Sequence, residues 1–398
     1  MKTDELSRRS FIKKAGQLGA ALALSKGIFA ENATAQAQEK PAEKPVFEGK
    51  EKMIVLSSKP ITLEMPLEGF EHFITPTVFF FVRNNIGMPV IDIGKWDLGI
   101  NGEVRSPLRL TMSDIRKFEE VETLVTLECY GNSRGFFEPK ASGNQWKKGG
   151  IGTARWKGIR LKDVIEKANI TDKAKHVVFD GADEPFVPTA PDFRRSIPIE
   201  KAMGPETLLV YEMNGSPLPV YHGYPLRVLV PGWGGSCSVK WLVNIQVAEK
   251  EFDGLYMVDK YRTPINPVKP GTKVLPKDMA VLTDLDVRSI IFSPSDGAKI
   301  STEEVLIKGY AWTGDAEIER VDVSTDSGKT WQKAKIVKKG GRYVWSLWEY
   351  KWKAQKQGSY LLMCRATDSK GRSQPISANW NQDGYLYNAV DKVWVDVG

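Results

Sequence analysis

Short apolar runs, separated by glycine, proline and asparagine, predict a strand-rich first half of the chain with few helices. Apolar residues at helical spacing predict short helices at residues 111–118 and 161–168, the first preceded by Thr and Ser caps. Because strands and helices do not alternate regularly, the pattern favours an α+β domain over residues 53–270 and not a dinucleotide-binding fold. The predicted strands lie at residues 75–83, 96–104, 124–129, 175–179, 208–212, 226–230 and 241–248.

The pattern changes after a Pro-rich segment at residues 263–276. Beyond it, helical periodicity is absent and short strands recur at regular intervals, which is typical of an immunoglobulin-like β-sandwich. We therefore predict such a domain over residues 280–398. Its strands are predicted at residues 289–292, 304–311, 318–324, 343–348, 359–367 and 392–397.

The start of the chain has the features of an export signal. Arg8 and Arg9 precede a modestly apolar stretch, which an Ala-Gln-Ala cleavage sequence follows. We expect a twin-arginine signal peptide over residues 1–37, a Lys/Glu/Pro-rich tether over residues 38–52, and a periplasmic mature protein. No later segment has 18 consecutive apolar residues, so we expect no integral membrane segment in the mature chain.

Composition narrows the possible chemistry. The 398 residues include only three Cys and three His, with no C-x-x-C pair, which excludes zinc ribbons, dithiol motifs and covalent c-type haem attachment. Redox or metal chemistry must then rest on few protein ligands or on a cofactor that brings its own. The net charge is +7, of which residues 1–37 carry six Lys/Arg minus three acids, or +3. The remaining +4 is too dispersed for a nucleic-acid-binding surface.

The most informative cysteine is Cys129, which ends an apolar run and opens a Gly/Asn-rich loop with Arg134 five residues on. Cationic neighbours lower the pKa of a thiol and favour the thiolate, which attacks electrophiles or binds metals. A buried structural cysteine is the alternative reading of this stretch alone. Cys237 and Cys364 are expected to be ordinary buried thiols.

Other cationic residues lie at the ends of predicted strands. Arg83 follows a strongly apolar run, His222 and Arg227 precede another, and Lys240 precedes a third. Such groups are suited to bind a phosphate and an oxyanion substrate. Together with the Cys129 loop, the order and spacing of these motifs resemble the sulfite oxidase family of molybdenum enzymes over about residues 70–398.

The resemblance implies a molybdenum ion bound by the Cys129 thiolate and by the dithiolene of one molybdopterin. It also implies catalytic roles for Arg83, Arg134 and Tyr261. The residues expected to bind the cofactor are Phe81, Val82, Arg83, Asn84, Asn85, Asp183, His222, Arg227, Ser238, Val239 and Lys240.

The activity implied is oxidation of sulfite, or of a related sulfur oxyanion, to sulfate by oxo transfer. Because the chain lacks a haem motif, the electrons are expected to pass to an external c-type cytochrome. In relatives the sandwich domain forms a homodimer, which leaves a homodimer open here.

Three departures from the family pattern leave the substrate open. Asn85 stands where a histidine is common, and Lys260 replaces an acid that often precedes the tyrosine. The sandwich-domain arginine of animal relatives has no secure counterpart here, and Ser346 stands near its place. A sulfane dehydrogenase subunit of a thiosulfate-oxidising system is the enzymatic alternative. A non-enzymatic exported binding module is the alternative of another class.

Overall fold

The computed structural model describes residues 45–398, and residues Val46–Gly398 form one compact unit. The predicted signal peptide and most of the predicted tether lie outside the described residues. Within residues 45–398, no helix is long and apolar enough to cross a membrane.

Strands dominate the part of the chain before residue 282, and helices are short. The strands are β1 (Ile54–Ser58), β2 (Ile61–Glu64), β3 (Val82–Arg83), β4 (Leu98–Gly102), β5 (Leu108–Leu110), β6 (Glu120–Glu128), β7 (Ile151–Arg160), β8 (His176–Gly181), β9 (Arg194–Pro198), β10 (Leu208–Met213), β11 (Ser216–Pro217), β12 (Arg227–Leu229), β13 (Leu242–Ala248), β14 (Arg262–Pro264) and β15 (Met279–Val281). The α-helices are α1 (Met112–Ile115), α2 (Leu161–Lys167), α3 (Ile199–Ala202) and α4 (Leu255–Val258).

Two five-stranded sheets form the body of this part. One has the order β11-β10-β7-β6, with β12 paired to β10, and the other has the order β5-β4-β13-β8-β9. A third sheet, β1-β2-β3, brings the beginning of the compact unit beside them. Helix α2 follows β7 directly and buries Leu161, Val164 and Ile165, so the predicted helix at residues 161–168 is confirmed.

The helical content is lower than the α+β prediction implied. The predicted helix at residues 111–118 is the single turn α1, which Thr111 caps by accepting from the Asp114 backbone N–H. The Asp114 carboxylate accepts the Thr111 N–H in return, completing a capping box. The fold is therefore mostly β-sheet with a few short helices.

The predicted strand at residues 75–83 is wrong. Thr77–Phe79 forms a 3₁₀ turn that begins after Pro76, and only Val82–Arg83 pairs with β2. Proline cannot donate to a ladder, and the Pro76 carbonyl accepts the Phe79 N–H within the turn. The apolar run is buried, but as a turn.

Two sheets with a shared core form the part after residue 287. One has the order β16-β18-β22-β21 and the other β17-β24-β23-β19-β20. Trp348, Leu362 and Val395 lie in the core between them. The strands are β16 (Arg288–Ser293), β17 (Ala298–Ile300), β18 (Glu304–Trp312), β19 (Ile318–Ser324), β20 (Gln332–Lys333), β21 (Lys335–Lys338), β22 (Ser346–Lys353), β23 (Gly358–Asp368) and β24 (Asp391–Val397).

One predicted strand of this region begins later than expected. The strand predicted at residues 343–348 is β22, Ser346–Lys353, because Tyr343 has a φ of 67° and belongs to a turn. The Tyr343 carbonyl accepts the Thr126 N–H, which fixes that turn against β6.

A buried ion pair joins the two parts of the fold beside Cys129. Arg288, at the start of β16, donates from Nη1 to Glu128 Oε1 at 2.6 Å. The second Glu128 oxygen accepts the Trp312 indole N–H at 2.7 Å, and Asn132 Nδ2 donates to Oε1 at 2.9 Å. The Arg288 and Glu128 side chains are 6% and 7% exposed, so this pair is shielded from water and well hydrogen-bonded.

Replacing Arg288 by methionine should lower the free energy of unfolding by about 3–5 kcal/mol, because the Glu128 carboxylate would remain buried and unpaired. Urea denaturation of the full chain measures this loss. The control is Arg109→Met, which removes an exposed bidentate pair with Asp97 and should cost less than about 1 kcal/mol. Equal losses in the two variants would contradict a special contribution from the Glu128–Arg288 pair.

Candidate active site

Two adjoining cavities meet at Cys129. The inner cavity lies on the side of His222 and Lys240. The outer cavity lies on the side of Arg134 and Lys260. Four residues line both cavities and so mark their junction: Arg83, Asn85, Cys129 and Tyr261.

The structure brings nearly all residues of the sequence-predicted site together. Those that line the inner cavity are Phe81, Arg83, Asn84, Asn85, Cys129, Asp183, His222, Arg227, Ser238, Val239, Lys240 and Tyr261. Arg134 lines the outer cavity instead. Val82 is 1% exposed and packs in the main core, because neighbouring side chains of a strand point to opposite faces.

Strand ends position these side chains. Arg83 ends β3, Cys129 follows β6, Asp183 follows β8 and Arg227 begins β12. His222 ends a 3₁₀ turn whose next residue, Gly223, has a φ of 106°. A Cβ at Gly223 would lie about 3.0 Å from the Lys240 side chain, so glycine permits both the backbone turn and the close approach.

Cationic side chains line the inner cavity, and hydrogen bonds to backbone and side-chain oxygens hold each of them in one orientation. Arg227 donates to the carbonyls of His222 at 3.0 Å and Ser238 at 2.9 Å, and its guanidinium lies over the Trp156 ring at 5.3 Å. Lys240 Nζ donates to Asn84 Oδ1 and, at 3.1 Å, to the Tyr221 carbonyl. These contacts satisfy donors without neutralising charge, so the cavity keeps a positive potential.

The electrostatics of the inner cavity suit the binding of an anion. Burial lowers the pKa of Arg227 to about 9, and burial together with the nearby Arg227 holds the pKa of Lys240 well below its usual value. Asp183 is the acid that lines the cavity, and burial raises its pKa to about 7 against the opposing effect of Lys240. A bound anion would stabilise the charged form of each cation.

Several buried polar atoms around the inner cavity have no hydrogen-bond partner in the described protein. They are Arg83 Nη1, Asn84 Nδ2, Asp183 Oδ1 and Ser236 Oγ. Buried polar atoms are usually paired, and an unpaired cluster indicates a missing ligand or water. The set contains donors and an acceptor, so it suits a polar group with both.

The Cys129 thiol differs from the sequence expectation in its electrostatics. Burial raises its pKa, and the opposing effects of Arg83 and Arg134 are smaller. The thiolate is therefore not favoured by these arginines alone, contrary to the expectation from the motif. A coordinating metal ion deprotonates a thiol directly, so this environment remains compatible with metal binding.

Tyr261 lies at the junction with its ring held on two sides. Its hydroxyl donates to Asn85 Oδ1 at 2.8 Å, the Tyr385 ring stacks on it at 5.5 Å, and the Arg195 guanidinium lies 4.9 Å from its centroid. Burial raises the pKa of Tyr261. The phenol therefore stays a hydrogen-bond donor at neutral pH.

Residues from the second part of the fold complete the outer cavity. Arg134 Nε donates to the Asp383 carbonyl at 2.7 Å, and Lys260 Nζ lies 3.4 Å from Asp383 Oδ1. A Cβ at Gly384 would lie 2.7 Å from the Arg134 side chain, so this segment packs tightly on the arginine. Arg83, Arg134 and Lys260 give the entrance a positive character.

Sequence reasoning missed three residues near these cavities. Lys50 is buried against His222, Ser236 lines the inner cavity, and Arg195 is fully buried beside Tyr261 and Cys237. Ser236 lies between two predicted positions and could have been found from that proximity. Lys50 and Arg195 carry no local signal, because their burial follows only from the tertiary fold.

The described residues offer few metal ligands. Within residues 45–398, no group of three or more His, Cys, Asp or Glu side chains could hold a metal ion. Cys129 at the junction is a single ligand. The site thus suits a metal ion whose other ligands come with a cofactor.

Family models match both parts of the chain. Residues 85–256 match an oxidoreductase molybdopterin binding domain, and residues 279–398 match a Mo-co oxidoreductase dimerisation domain. Neither match includes the segment from residue 45 to Asn84.

Individual proteins agree with these models. The mitochondrial sulfite oxidase of Mus musculus is 37% identical over 358 residues, covering 86% of this chain and 65% of that protein, so the chain spans 65% of its length. The sulfite oxidase of Arabidopsis thaliana is 31% identical over 371 residues, covering 86% and 94%. The sulfane dehydrogenase SoxCD from Paracoccus pantotrophus superposes with a TM-score of 0.74 at 28% identity, covering 92% and 93%.

The inner cavity should bind inorganic pyrophosphate, and Lys240→Met should weaken that binding at least about tenfold because a buried charge-assisted contact is lost. Isothermal titration calorimetry on the cofactor-free full chain measures the dissociation constants. Lys250→Met, on an exposed lysine paired with Asp253, is the matched control and should bind as the wild type does. Unchanged affinity in Lys240→Met would show that the anion binds elsewhere.

Proposed function

This chain belongs to the sulfite oxidase family of molybdopterin-binding oxidoreductases, and from that premise we propose that it oxidises sulfite, or a closely related sulfur oxyanion, to sulfate. The family, the molybdopterin cofactor and the oxidoreductase class expected from the motifs are confirmed by the relatives. The substrate and the roles of individual residues are parts of the proposal.

The inner cavity fits a phosphorylated pterin. His222, Arg227 and Lys240 would bind its phosphate, which supplies the anion that their buried charges lack. The unpartnered polar atoms of Asn84, Asp183 and Ser236 would form hydrogen bonds with the polar atoms of the pterin ring.

Cys129 would provide the protein thiolate to molybdenum at the junction of the cavities. When bound, the molybdenum cofactor supplies oxo transfer and accepts two electrons.

The junction is the observation that carries the proposal. Arg83, Asn85 and Tyr261 line both cavities together with Cys129, so a group that enters through the outer cavity meets the site where the inner cavity ends. A substrate that enters there would reach a cofactor held on Cys129.

The protein side chains at the junction bind and orient the substrate. Arg83, with one unpartnered Nη1 atom, and Arg134 would neutralise the charge of the oxyanion. The Tyr261 hydroxyl donates its single proton to Asn85 Oδ1 in this structure, and it would turn to donate that proton to a substrate or product oxygen instead. Tyr385 and Arg195 keep the ring in place.

A sulfane dehydrogenase-like activity is the second candidate. Two observations favour it: Asn85 is a neutral residue at the junction, and the outer cavity is open to solvent and lined by both parts of the fold. The similarity to the sulfane dehydrogenase SoxCD extends over 92% of this chain. A sulfane sulfur on a longer carrier would use that space.

We propose that the enzyme acts in the periplasm after twin-arginine export, with an external c-type cytochrome as its electron acceptor. Residues 53–270 are assigned to the catalytic domain, and residues 280–398 to an immunoglobulin-like domain. That second domain would form a homodimer, which the match to a dimerisation domain supports.

Cys129→Ser should abolish sulfite-dependent reduction of ferricyanide, because the protein thiolate at the junction is lost while the pterin would still retain the metal. The purified wild-type chain should hold about one molybdenum ion, measured by mass spectrometry, so that turnover can be counted per metal. Cys364→Ala is the control, since Cys364 is fully buried in the core of the sandwich and its loss should leave both metal and turnover unchanged. A wild-type protein without molybdenum would instead support a non-enzymatic binding module.

The metal-loaded protein should reduce ferricyanide in the presence of sulfite. Arg83→Met should lower kcat/KM, counted per bound molybdenum, by about tenfold to hundredfold because a charge-assisted contact to the oxyanion disappears. Arg105→Met, on an exposed arginine, should behave as the wild type does. Turnover of a persulfide without turnover of sulfite would select the sulfane dehydrogenase activity.

A further inference from the structure

Lys50 is a buried lysine to which the proposed function assigns no role. It is 4% exposed and lies in a turn between the Phe47 carbonyl, which accepts its N–H, and Met53, whose N–H donates to its carbonyl. No salt bridge of Lys50 is found within residues 45–398. Lysine is almost never fully buried without an acidic partner, because its charge loses hydration.

The ammonium group of Lys50 makes three polar contacts, and one of them reaches the inner cavity. Nζ donates to the Thr77 carbonyl at 2.5 Å and to the Phe80 carbonyl at 2.8 Å. It also lies 2.9 Å from Nε2 of His222, a residue that lines the inner cavity. The two carbonyl contacts hold the ammonium group within hydrogen-bonding distance of the imidazole.

The chemistry of this contact fixes the state of the histidine. A protonated lysine has donors and no acceptor, so Nε2 of His222 must accept, and the ring proton must lie on Nδ1. Burial, with Lys50 as the next cause, holds the pKa of His222 well below its usual value, so the ring is neutral. The Phe80 ring, edge-on at 5.4 Å, restricts the imidazole further.

We propose that Lys50 is a positioning residue for the cofactor: it locks His222 in the Nδ1–H tautomer and so presents an N–H donor to the phosphate end of the inner cavity. This inference rests on the proposed assignment of the pterin phosphate to that cavity. Lys50 also places its own charge behind the imidazole, where it adds to the attraction for an anion.

The charge state of Lys50 agrees with this role. Burial lowers its pKa to about 7, so the ammonium is easily lost while the cavity lacks an anion. A nearby anion favours the protonated form, which is the form that donates to His222. Binding of the anion and the Lys50–His222 contact therefore strengthen each other.

The same contact connects the start of the compact unit to cofactor retention. The Lys50 side chain of the segment before β1 reaches the inner cavity past residues 77–80. A cofactor that stabilises His222 thus also stabilises the position of this segment. Loss of Lys50 should accelerate cofactor release.

The test compares Lys50→Met with Lys52→Met, an exposed lysine two residues away that lies 5.9 Å from the Phe79 ring centroid. The first readout is the tautomer of His222 in the full chain with pyrophosphate, from long-range ¹H–¹⁵N spectra of ¹⁵N-histidine-labelled protein. The chain has only three histidines, so His222→Gln assigns the signal. We expect the Nδ1–H tautomer in the wild type and Lys52→Met, and a shift toward Nε2–H in Lys50→Met.

The second readout is the rate of pterin release from the holoenzyme, followed by the fluorescence of the oxidised pterin after gel filtration. Release from Lys50→Met should be about tenfold faster than from the wild type or Lys52→Met, as expected for a weakened charge-assisted contact. If Lys50→Met does not fold, Lys50→Gln keeps amide donors for the two carbonyls without the charge. It should give the same tautomer shift.

An unchanged tautomer and unchanged release in the folded variant would overturn the inference. The inference would also be overturned if the variant were less stable than the wild type but gained the same increase in Tm on adding pyrophosphate. Failure of the proposed function is a separate result, because a protein that does not oxidise sulfite would still report the tautomer and the pyrophosphate effect.

Discussion

The site depends on the buried ion pair between Glu128 and Arg288. Glu128 directly precedes Cys129, and its carboxylate is fully engaged by Arg288, Trp312 and Asn132. A loop between two strands would otherwise be free to adopt several conformations. The pair ties that loop to β16 and β18 of the sandwich, so the position of the thiol follows from packing between two separate parts of the chain.

The inner cavity presents the opposite situation, in which three cations are buried without a salt bridge among residues 45–398. Arg227, Lys240 and Lys50 lose hydration and gain mainly hydrogen bonds to neutral oxygens. Such burial is unfavourable on its own. Binding of an anion would offset this cost, as in other proteins with charged and preorganised binding sites.

Strands and the ends of strands were predictable from the sequence, because apolar alternation and turn residues act locally. The long strand β23 and helix α2 appear where the pattern places them. The apolar run at residues 75–83 was wrongly predicted to be a strand, because a buried turn and a buried strand both need apolar side chains. The cavity residues were found through family motifs, whereas Lys50 lies in a Lys/Glu/Pro-rich stretch that resembles a solvated tether.

The outer cavity is lined by both parts of the chain, so neither part can be exchanged without altering the cavity. Asp383 binds Arg134 through its carbonyl, the Leu386 N–H donates to the Tyr130 carbonyl, and Tyr385 stacks on Tyr261. A chimaera that exchanged the sandwich for that of a relative would therefore also exchange part of the entrance. A change of sandwich domain would therefore be expected to change the substrate preference as well.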